Sequence, residues 1–203
     1  MTAVHPDLRS ADRALALLLL IAGSVGFTAA FVLIVEKMAL LADAGYVPSC
    51  SLNPVLSCGS IMKTPQAEVF GFPNPLIGVA AFPVVAATGA AVLAGARFAR
   101  WYWIGLQIGV TAGVMLIGWL IFQSLYRINA LCPYCMVVWT VMVPLFLYVT
   151  LRNARAGTLG HRAQVSRLTS VIAEWHLLVL TVIATVILAL VAHRFWYYWQ
   201  TLV

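Results

Sequence analysis

Residues 14–35 read ALALLLLIAGSVGFTAAFVLIV, a run that contains no charged side chain. An α-helix needs about 20 apolar residues to cross the hydrocarbon core of a bilayer. Within that core, a single segment satisfies its backbone hydrogen bonds only by forming a helix. The run therefore predicts a membrane-spanning helix near the start of the chain.

Four further runs of similar length and hydrophobicity follow, at residues 75–95, 101–126, 132–151 and 171–192. The whole chain of 203 residues is 63% hydrophobic and 9% charged, with a mean hydropathy of +0.98. Because a soluble domain carries about 25% charged residues, this composition excludes both a water-soluble domain and a disordered chain. We expect an all-α membrane protein with five transmembrane helices, folded as a single domain over residues 1–203.

The basic residues predict how the five helices are oriented. One side of the membrane receives Arg9, Arg13, Arg97, Arg100, Arg152, Arg155, Arg162 and Arg167, and the other receives Lys37, Lys63, Arg127 and Arg194. Because cytoplasmic segments carry an excess of Lys and Arg, the larger group places the N-terminus in the cytoplasm. We expect a multi-pass protein of the plasma membrane, whose net charge of +6 reflects topology rather than binding to nucleic acid.

A ridge of small residues lies in the third run, at Gly105, Gly109 and Gly113. Glycines at intervals of four residues lie on one helix face and allow another helix to approach closely. We expect this ridge to pack against a neighbouring helix within the bundle rather than in a homodimer.

The four cysteines form two close pairs. Cys50 and Cys58 lie in the long segment 36–74, and Cys132 and Cys135 open the fourth predicted span. On the predicted topology all four are extracytoplasmic, in the compartment where disulfides persist. An even number of cysteines, paired on one side of the membrane, indicates thiol–disulfide chemistry.

The sequence Cys132-Pro133-Tyr134-Cys135 is a C-x-x-C motif at the predicted start of a helix. Proline suits the first helical position, and the helix N-terminus stabilises a thiolate, which is the form that attacks a disulfide. The alternative is a static structural bridge. Zinc is disfavoured because Cys50 and Cys58 are further apart than zinc ligands usually are, so we expect no metal.

Four cysteines allow three pairings, of which Cys50–Cys58 and Cys132–Cys135 are reasonable resting bridges. The loop pair would then act as a shuttle and the helix pair as a terminal redox centre. Electrons that arrive at the edge of the bilayer need an acceptor soluble in lipid. Since the sequence contains no nucleotide-binding fingerprint, a quinone is favoured by elimination.

Three stretches together resemble bacterial homologues of vitamin K epoxide reductase, of the actinobacterial type. They are CSLNPVLSCG at residues 50–59, VFGFPNPLIG at 69–78, and CPYC at 132–135 followed by Trp139. With the five spans in the same order, the resemblance covers most of residues 14–150.

The resemblance implies a four-helix bundle around a quinone, one peripheral helix, and the loop 36–74 as a cap. It implies that Cys50 exchanges with a partner protein, that Cys58 passes electrons to Cys132, and that Cys135 faces the quinone. Asn74 resembles the family asparagine that hydrogen-bonds a quinone oxygen, and Thr64 occupies the place of the family's loop Ser/Thr.

The resemblance also implies a quinone of the menaquinone or ubiquinone type and a DsbA-like thioredoxin-fold partner. Some bacterial members carry a fused thioredoxin-like domain, whereas this chain ends at Val203, so we expect the partner to act in trans. The sequence departs from the vertebrate enzymes at Trp139, where those have tyrosine. This departure bears on the turnover of vitamin K epoxide and leaves quinone reduction as the expected activity.

Two other functions compete with this prediction. A DsbB-type oxidase shares the chemistry, but its C-x-x-C pair precedes the widely spaced pair, which is the reverse of the order here. A membrane transporter or scaffold subunit with two structural disulfides would lose only stability on substitution of Cys132 or Cys135. The sequence shows neither the paired broken helices nor the buried charges typical of a transport path.

Overall fold

The structure is a computed structural model that describes residues 6–43, 45–158 and 163–200. Within these ranges the regular structure is helical, apart from one isolated β-bridge. The helices in chain order are α1 (Pro6–Ala42), α2 (Cys58–Met62), a 3-10 helix (Pro65–Glu68), α3 (Pro75–Leu93), α4 (Arg100–Gln123), a π-helical turn (Ser124–Ile128), α5 (Pro133–Arg155), α6 (Ala163–Glu174), α7 (His176–Arg194) and α8 (Trp196–Trp199).

Five of these helices are long and apolar enough to cross a membrane: α1, α3, α4 with its π-helical turn, α5 and α7. The predicted class, an all-α membrane protein with five spans, is therefore confirmed. Several helix boundaries differ from the prediction. Helix α1 continues through Ala42, so the first residues of the predicted loop 36–74 are helical. The fifth span begins at His176 rather than at residue 171, because α6 ends at Glu174.

Four of the five long helices form a bundle, in which α1 packs along α3 and α5, and α4 packs along α5. Helix α7 lies beside this bundle, against α5 and the π-helical turn. Its Arg194 donates hydrogen bonds to the carbonyl of Leu125 (2.8 Å) and to Oδ1 of Asn129. Asn129 has a left-handed backbone (φ 57°) that ends the π-helical turn. The peripheral helix thus stabilises the turn that leads into the C-x-x-C motif.

The tightest helix contact in the bundle joins α1 to α3. A Cβ atom on Gly23 would lie 2.6 Å from the backbone nitrogen of Ala86, and one on Gly89 would lie 2.5 Å from the carbonyl oxygen of Ala16. Only glycine permits so close an approach of two backbones. The prediction for the α4 ridge holds at Gly113, where a Cβ would lie 2.5 Å from Cε of Met142 on α5, but a Cβ on Gly105 or Gly109 would have no neighbour within 4 Å among the described residues.

A network of polar side chains joins α4 to α5 at the end of the bundle away from the cysteines. Asn153 is fully buried and donates to the carbonyl of Trp103 and to Oε1 of Gln107, both at 3.1 Å. The amide nitrogen of Gln107 donates in turn to the hydroxyl of Thr150 (2.9 Å). In an apolar environment such bonds are favoured, because each unpaired polar group would carry a desolvation penalty.

Candidate redox site

A short backbone bridge places Cys58 beside Cys132. Leu131 donates its N–H to the carbonyl of Val55 (2.7 Å), and Ser57 donates its N–H to the carbonyl of Leu131 (2.8 Å). These bonds form the β-bridge between Leu56 and Leu131. Because Ser57 and Leu131 each precede a cysteine, the bridge fixes the two cysteines relative to each other despite their distance along the chain.

The turn before Cys58 is stabilised by a side chain within it, that of Asn53. Asn53 accepts two backbone N–H bonds through Oδ1, from Val55 (3.0 Å) and from Leu56 (2.7 Å). Asparagine is common in such turns because its side chain satisfies nearby backbone donors. Ser57 then caps α2, its hydroxyl accepting from the N–H of Ser60 (3.2 Å). Cys58 is therefore the first residue of a short, capped helix.

Three sulfur atoms lie together at this point. Cys50 and Cys58 form a disulfide, and the Sγ of Cys58 is 3.1 Å from the Sγ of Cys132. The three sulfurs lie within 4.8 Å of one another, and all three residues are buried. The structure thus contains the first predicted resting bridge. The second is not formed, since Cys132 and Cys135 are both thiols.

Such a cluster of cysteines also has the composition of a site for a soft metal ion. In the state described here, however, two of the three sulfurs are bonded to each other and are not available as thiolate ligands. The arrangement instead matches the requirement of disulfide exchange, in which a thiolate attacks one sulfur of an existing bridge.

Cys132 is in a position that stabilises its thiolate. Helix α5 begins at Pro133, as predicted, and Cys132 is its N-cap. The pKa of Cys132 is lowered from its ordinary value, mainly by a hydrogen bond from the thiol of Cys135, against the opposing effect of burial. The backbone N–H groups of Cys135 (3.4 Å) and Tyr134 contribute in the same direction. A lowered pKa makes Cys132 both a thiolate nucleophile at lower pH and a better leaving group.

An apolar cavity of about 720 Å³ begins at these cysteines and extends into the bundle between α3 and α4. Its wall includes Cys58, Cys132 and Cys135 at one end and the glycines of α4 further in. Gly105 and Gly109 therefore border a cavity where the sequence had predicted a helix contact, and Gly113 both lines the cavity and meets α5. A spacing of small residues shows where bulk is missing, but not whether a helix or a ligand fills the space.

The predicted quinone-binding residues Asn74 and Trp139 both line this cavity, and Trp139 is buried. Asn74 precedes α3 without capping it through its side chain. Its Nδ2 donates to the carbonyl of Gln66 (2.7 Å), and its Oδ1 accepts from the N–H of Val69 (3.1 Å). Asn74 therefore fastens the second half of the loop 36–74, which covers the cavity. From here on the name cap is used for this half alone (residues 58–74).

Thr64, the remaining loop residue marked by the resemblance, donates its hydroxyl to the carbonyl of Ile61 (2.7 Å). This bond closes the turn between α2 and the 3-10 helix. The structure therefore gives Thr64 a role inside the cap.

Two functional candidates were not recognised from sequence. The sequence placed Glu36 and Lys37 at the start of a loop and used Lys37 only as one of the basic residues that predict membrane orientation. Both are instead buried in the last turns of α1. The available signal was a pair of opposite charges directly after an uninterrupted apolar run. Such residues usually end a span, so the pattern gave no sign that they would turn inward.

The chemical nature of the cavity fits a quinone. Ligand pockets for compounds of this size have volumes of about 300–1,000 Å³, apolar walls and a few polar groups that set the orientation. Here the wall is apolar along the helices, with Asn74, Lys37 and the cysteines as the polar groups at one end.

Comparison with known families identifies the family of this chain. The model of the vitamin K epoxide reductase family matches residues 17–150, which is well over half of the chain. No curated protein matches the chain. The matched range contains all four cysteines, the cap, α3 and α4, and most of α1 and α5. The chain therefore belongs to the vitamin K epoxide reductase family and is a membrane oxidoreductase that acts on thiols and disulfides.

Proposed function

We propose that this protein transfers electrons from an extracytoplasmic, DsbA-like thioredoxin-fold partner to a membrane quinone, and so supports disulfide formation in exported proteins. The observation that carries the proposal is the 3.1 Å contact between the sulfurs of Cys58 and Cys132 at the end of an apolar cavity. The protein would lie in the plasma membrane with its N-terminus in the cytoplasm and its cysteines outside, as the charge distribution predicts.

The first step joins the partner to the loop pair. A partner thiolate attacks the sulfur of Cys50, and the Cys50–Cys58 bond breaks to leave Cys58 as a thiolate. The second partner thiol then attacks the partner's own sulfur in the mixed disulfide and releases Cys50. The partner becomes a disulfide, and its two electrons now reside on Cys50 and Cys58.

The second step moves these electrons inward. The thiolate of Cys58 attacks Cys132 in a Cys132–Cys135 disulfide, and Cys135 leaves. Cys50 then attacks Cys58, re-forms the loop disulfide and releases Cys132 as a thiolate. The lowered pKa of Cys132 favours this release. The structure has the bonding pattern of the product of this step, with Cys50–Cys58 as a disulfide and the helix pair as thiols.

A quinone of the menaquinone or ubiquinone type, when bound in the cavity, supplies the acceptor for two electrons and two protons. Cys135 borders the cavity, and its reaction with Cys132 restores the helix disulfide. Asn74 uses one amide hydrogen to hold the cap and keeps a second, because an amide nitrogen carries two. That second hydrogen would bind a quinone oxygen, and Trp139 would pack against the ring.

The proposal is tested with protein purified in detergent, a reduced thioredoxin-fold protein and a quinone, followed by quinone absorbance. We expect quinone reduction that Cys135→Ser abolishes. Cys50→Ser should lose the reaction with the protein dithiol and retain part of the reaction with a small dithiol. If the folded protein with intact cysteines consumes no quinone, the proposal is wrong, and the cysteines are structural.

A further inference from the structure

Lys37 has an environment that its position in the sequence does not predict. It lies near the cysteine end of α1, and its side chain is only 10% exposed. Its Nζ donates to the carbonyl of Met62 (2.7 Å) and forms an ion pair with Oε1 of Glu68 (2.8 Å). A buried ammonium group is costly unless it is paired, so its contacts usually mark a specific function.

The two partners of Lys37 belong to the cap. Met62 is the last residue of α2, the helix that begins with Cys58, and Glu68 is the last residue of the 3-10 helix. Lys37 therefore connects α1, a long helix of the bundle, to the end of the short helix that carries the inner cysteine of the shuttle pair. The backbone bridge at Ser57 holds the beginning of the same helix.

Glu36 points to the opposite flank of the disulfide. Its carboxylate accepts from the hydroxyl of Tyr46 (2.9 Å), the N–H of Ser49 (3.2 Å) and the hydroxyl of Ser49. Ser49 directly precedes Cys50. Two consecutive buried residues of opposite charge thus hold the two flanks separately, Glu36 on the Cys50 side and Lys37 on the Cys58 side.

We propose that Lys37 is a positioning residue for the internal exchange step, and this inference rests on the proposed function. When the partner reduces Cys50–Cys58, the bond that ties Cys58 to the rest of the loop is lost. The bonds of Lys37 to the cap and the backbone bridge then remain to hold Cys58 against Cys132. Exchange depends on this proximity, because the two sulfurs react only when they are held close and aligned.

The test uses the Cys50→Ser protein, in which three thiols remain. Mild oxidation with diamide, which accepts two electrons per bridge, can form Cys58–Cys132, Cys132–Cys135 or Cys58–Cys135, and the first two are the products compared. Mass spectrometry of alkylated peptides gives the ratio of these bridges, which measures how well Cys58 is presented to Cys132. This ratio does not depend on quinone, so it separates the positioning inference from the proposed function.

We expect Lys37→Met in this background to lower the ratio of Cys58–Cys132 to Cys132–Cys135 about tenfold. Lys37→Arg should restore most of the ratio, because it keeps a cationic donor. The matched control is Lys63→Met, which removes the same charge one residue beyond Met62, where the lysine is exposed. Glu68→Gln should lower the ratio less than Lys37→Met, because the bond to the carbonyl of Met62 remains.

An unchanged ratio in folded Lys37→Met protein, or an equal fall in Lys63→Met, would overturn the inference. If Lys37→Met does not fold, Lys37→Gln is measured in the same way, since it keeps a donor toward Met62 and loses the charge. A fall of less than about tenfold is then expected, and no fall overturns the inference. Failure of the proposed function has a different signature, which is the absence of quinone reduction in the protein with intact cysteines.

Discussion

The two ends of the helical bundle use buried polar groups in different ways. At the cysteine end, Asn74 and Lys37 bind the backbone of the cap, which covers a cavity. At the opposite end, Gln107, Thr150 and Asn153 bind one another and close the contact between α4 and α5. The polar contacts at the cysteine end position sulfur atoms, and those at the opposite end join two helices. Changes at the first should affect activity more than stability, and changes at the second the reverse.

The largest expected effect is at the cysteine end. Cys135→Ser should lower quinone reduction at least about a thousandfold, because the Cys132–Cys135 disulfide can no longer form and the electrons lose that covalent route to the quinone. The thermal unfolding midpoint should stay close to that of the parent protein, since serine occupies nearly the same volume. A large fall in the unfolding midpoint with normal activity per folded molecule would contradict the contrast between the two ends and favour a structural role for Cys135.

The next largest effect should be at the opposite end. Asn153→Leu should lower the free energy of unfolding by about 1–2 kcal/mol, because it leaves the carbonyl of Trp103 and Oε1 of Gln107 without their donor. Unfolding in increasing denaturant measures this, and quinone reduction per folded molecule should be unchanged.

The control for Asn153 is Thr140→Val on the same helix, whose hydroxyl, within the described part of the chain, donates to carbonyls of its own helix at Met136 and Val137. It should leave the free energy of unfolding nearly unchanged. If Asn153→Leu lowered quinone reduction and left the free energy of unfolding unchanged, the polar network would contribute to activity. The contrast between the two ends of the bundle would then be wrong.

A smaller effect is expected at Gly109 of α4, in the part of the cavity wall further in from the cysteines. Gly109→Leu should raise the KM for quinone roughly tenfold, because the new side chain occupies the cavity. It should not lower stability, since its Cβ would meet no atom of the described residues within 4 Å and leucine has the higher helix propensity. Gly118→Leu is the matched control, on the same helix and equally free of contacts but outside the cavity wall. Equal KM values for the two variants would contradict the assignment of the cavity.

The smallest expected effect concerns the titration of Cys132. In proteins with Cys50 and Cys58 replaced by alanine, Cys135→Ala should raise the pKa of Cys132, because it removes the main hydrogen bond to its thiolate. Cys135→Ser keeps a hydroxyl donor, so its thiolate should form at lower pH than in Cys135→Ala. Thiolate absorbance against pH measures the single remaining thiol in each protein. Coincident curves for the two variants would show that a hydrogen-bond donor at position 135 does not stabilise the thiolate.

Several features of the site were predictable because they are local. The C-x-x-C motif with proline at its second position predicted that α5 begins at Pro133 with Cys132 at its N-terminus, and the structure confirms this. The pairing of Cys50 with Cys58 also agrees with the prediction. Asn74 and Trp139 were identified by resemblance, and the structure places both at the cavity, although their contact with a quinone stays a prediction.

Other features depended on which helices meet, and the sequence could not determine them. Gly105 and Gly109 of α4 predicted a helix contact and instead border the cavity, whereas Gly23 and Gly89 make the close contact between α1 and α3. Glu36 and Lys37 resembled the polar end of a span, because burial of a charge depends on partners that are distant in the chain.

The sequence by itself determined that the chain is a five-span membrane protein with two pairs of cysteines suited to redox chemistry. Hydrophobicity over about 20 residues and the spacing of thiols are local properties, and the bilayer leaves helices as the structure for each span. Only the tertiary structure decided that Cys58 contacts Cys132, that a cavity opens between α3 and α4, and that Lys37 holds the cap. Those contacts join residues far apart in the chain, so they exist only once the helices have packed.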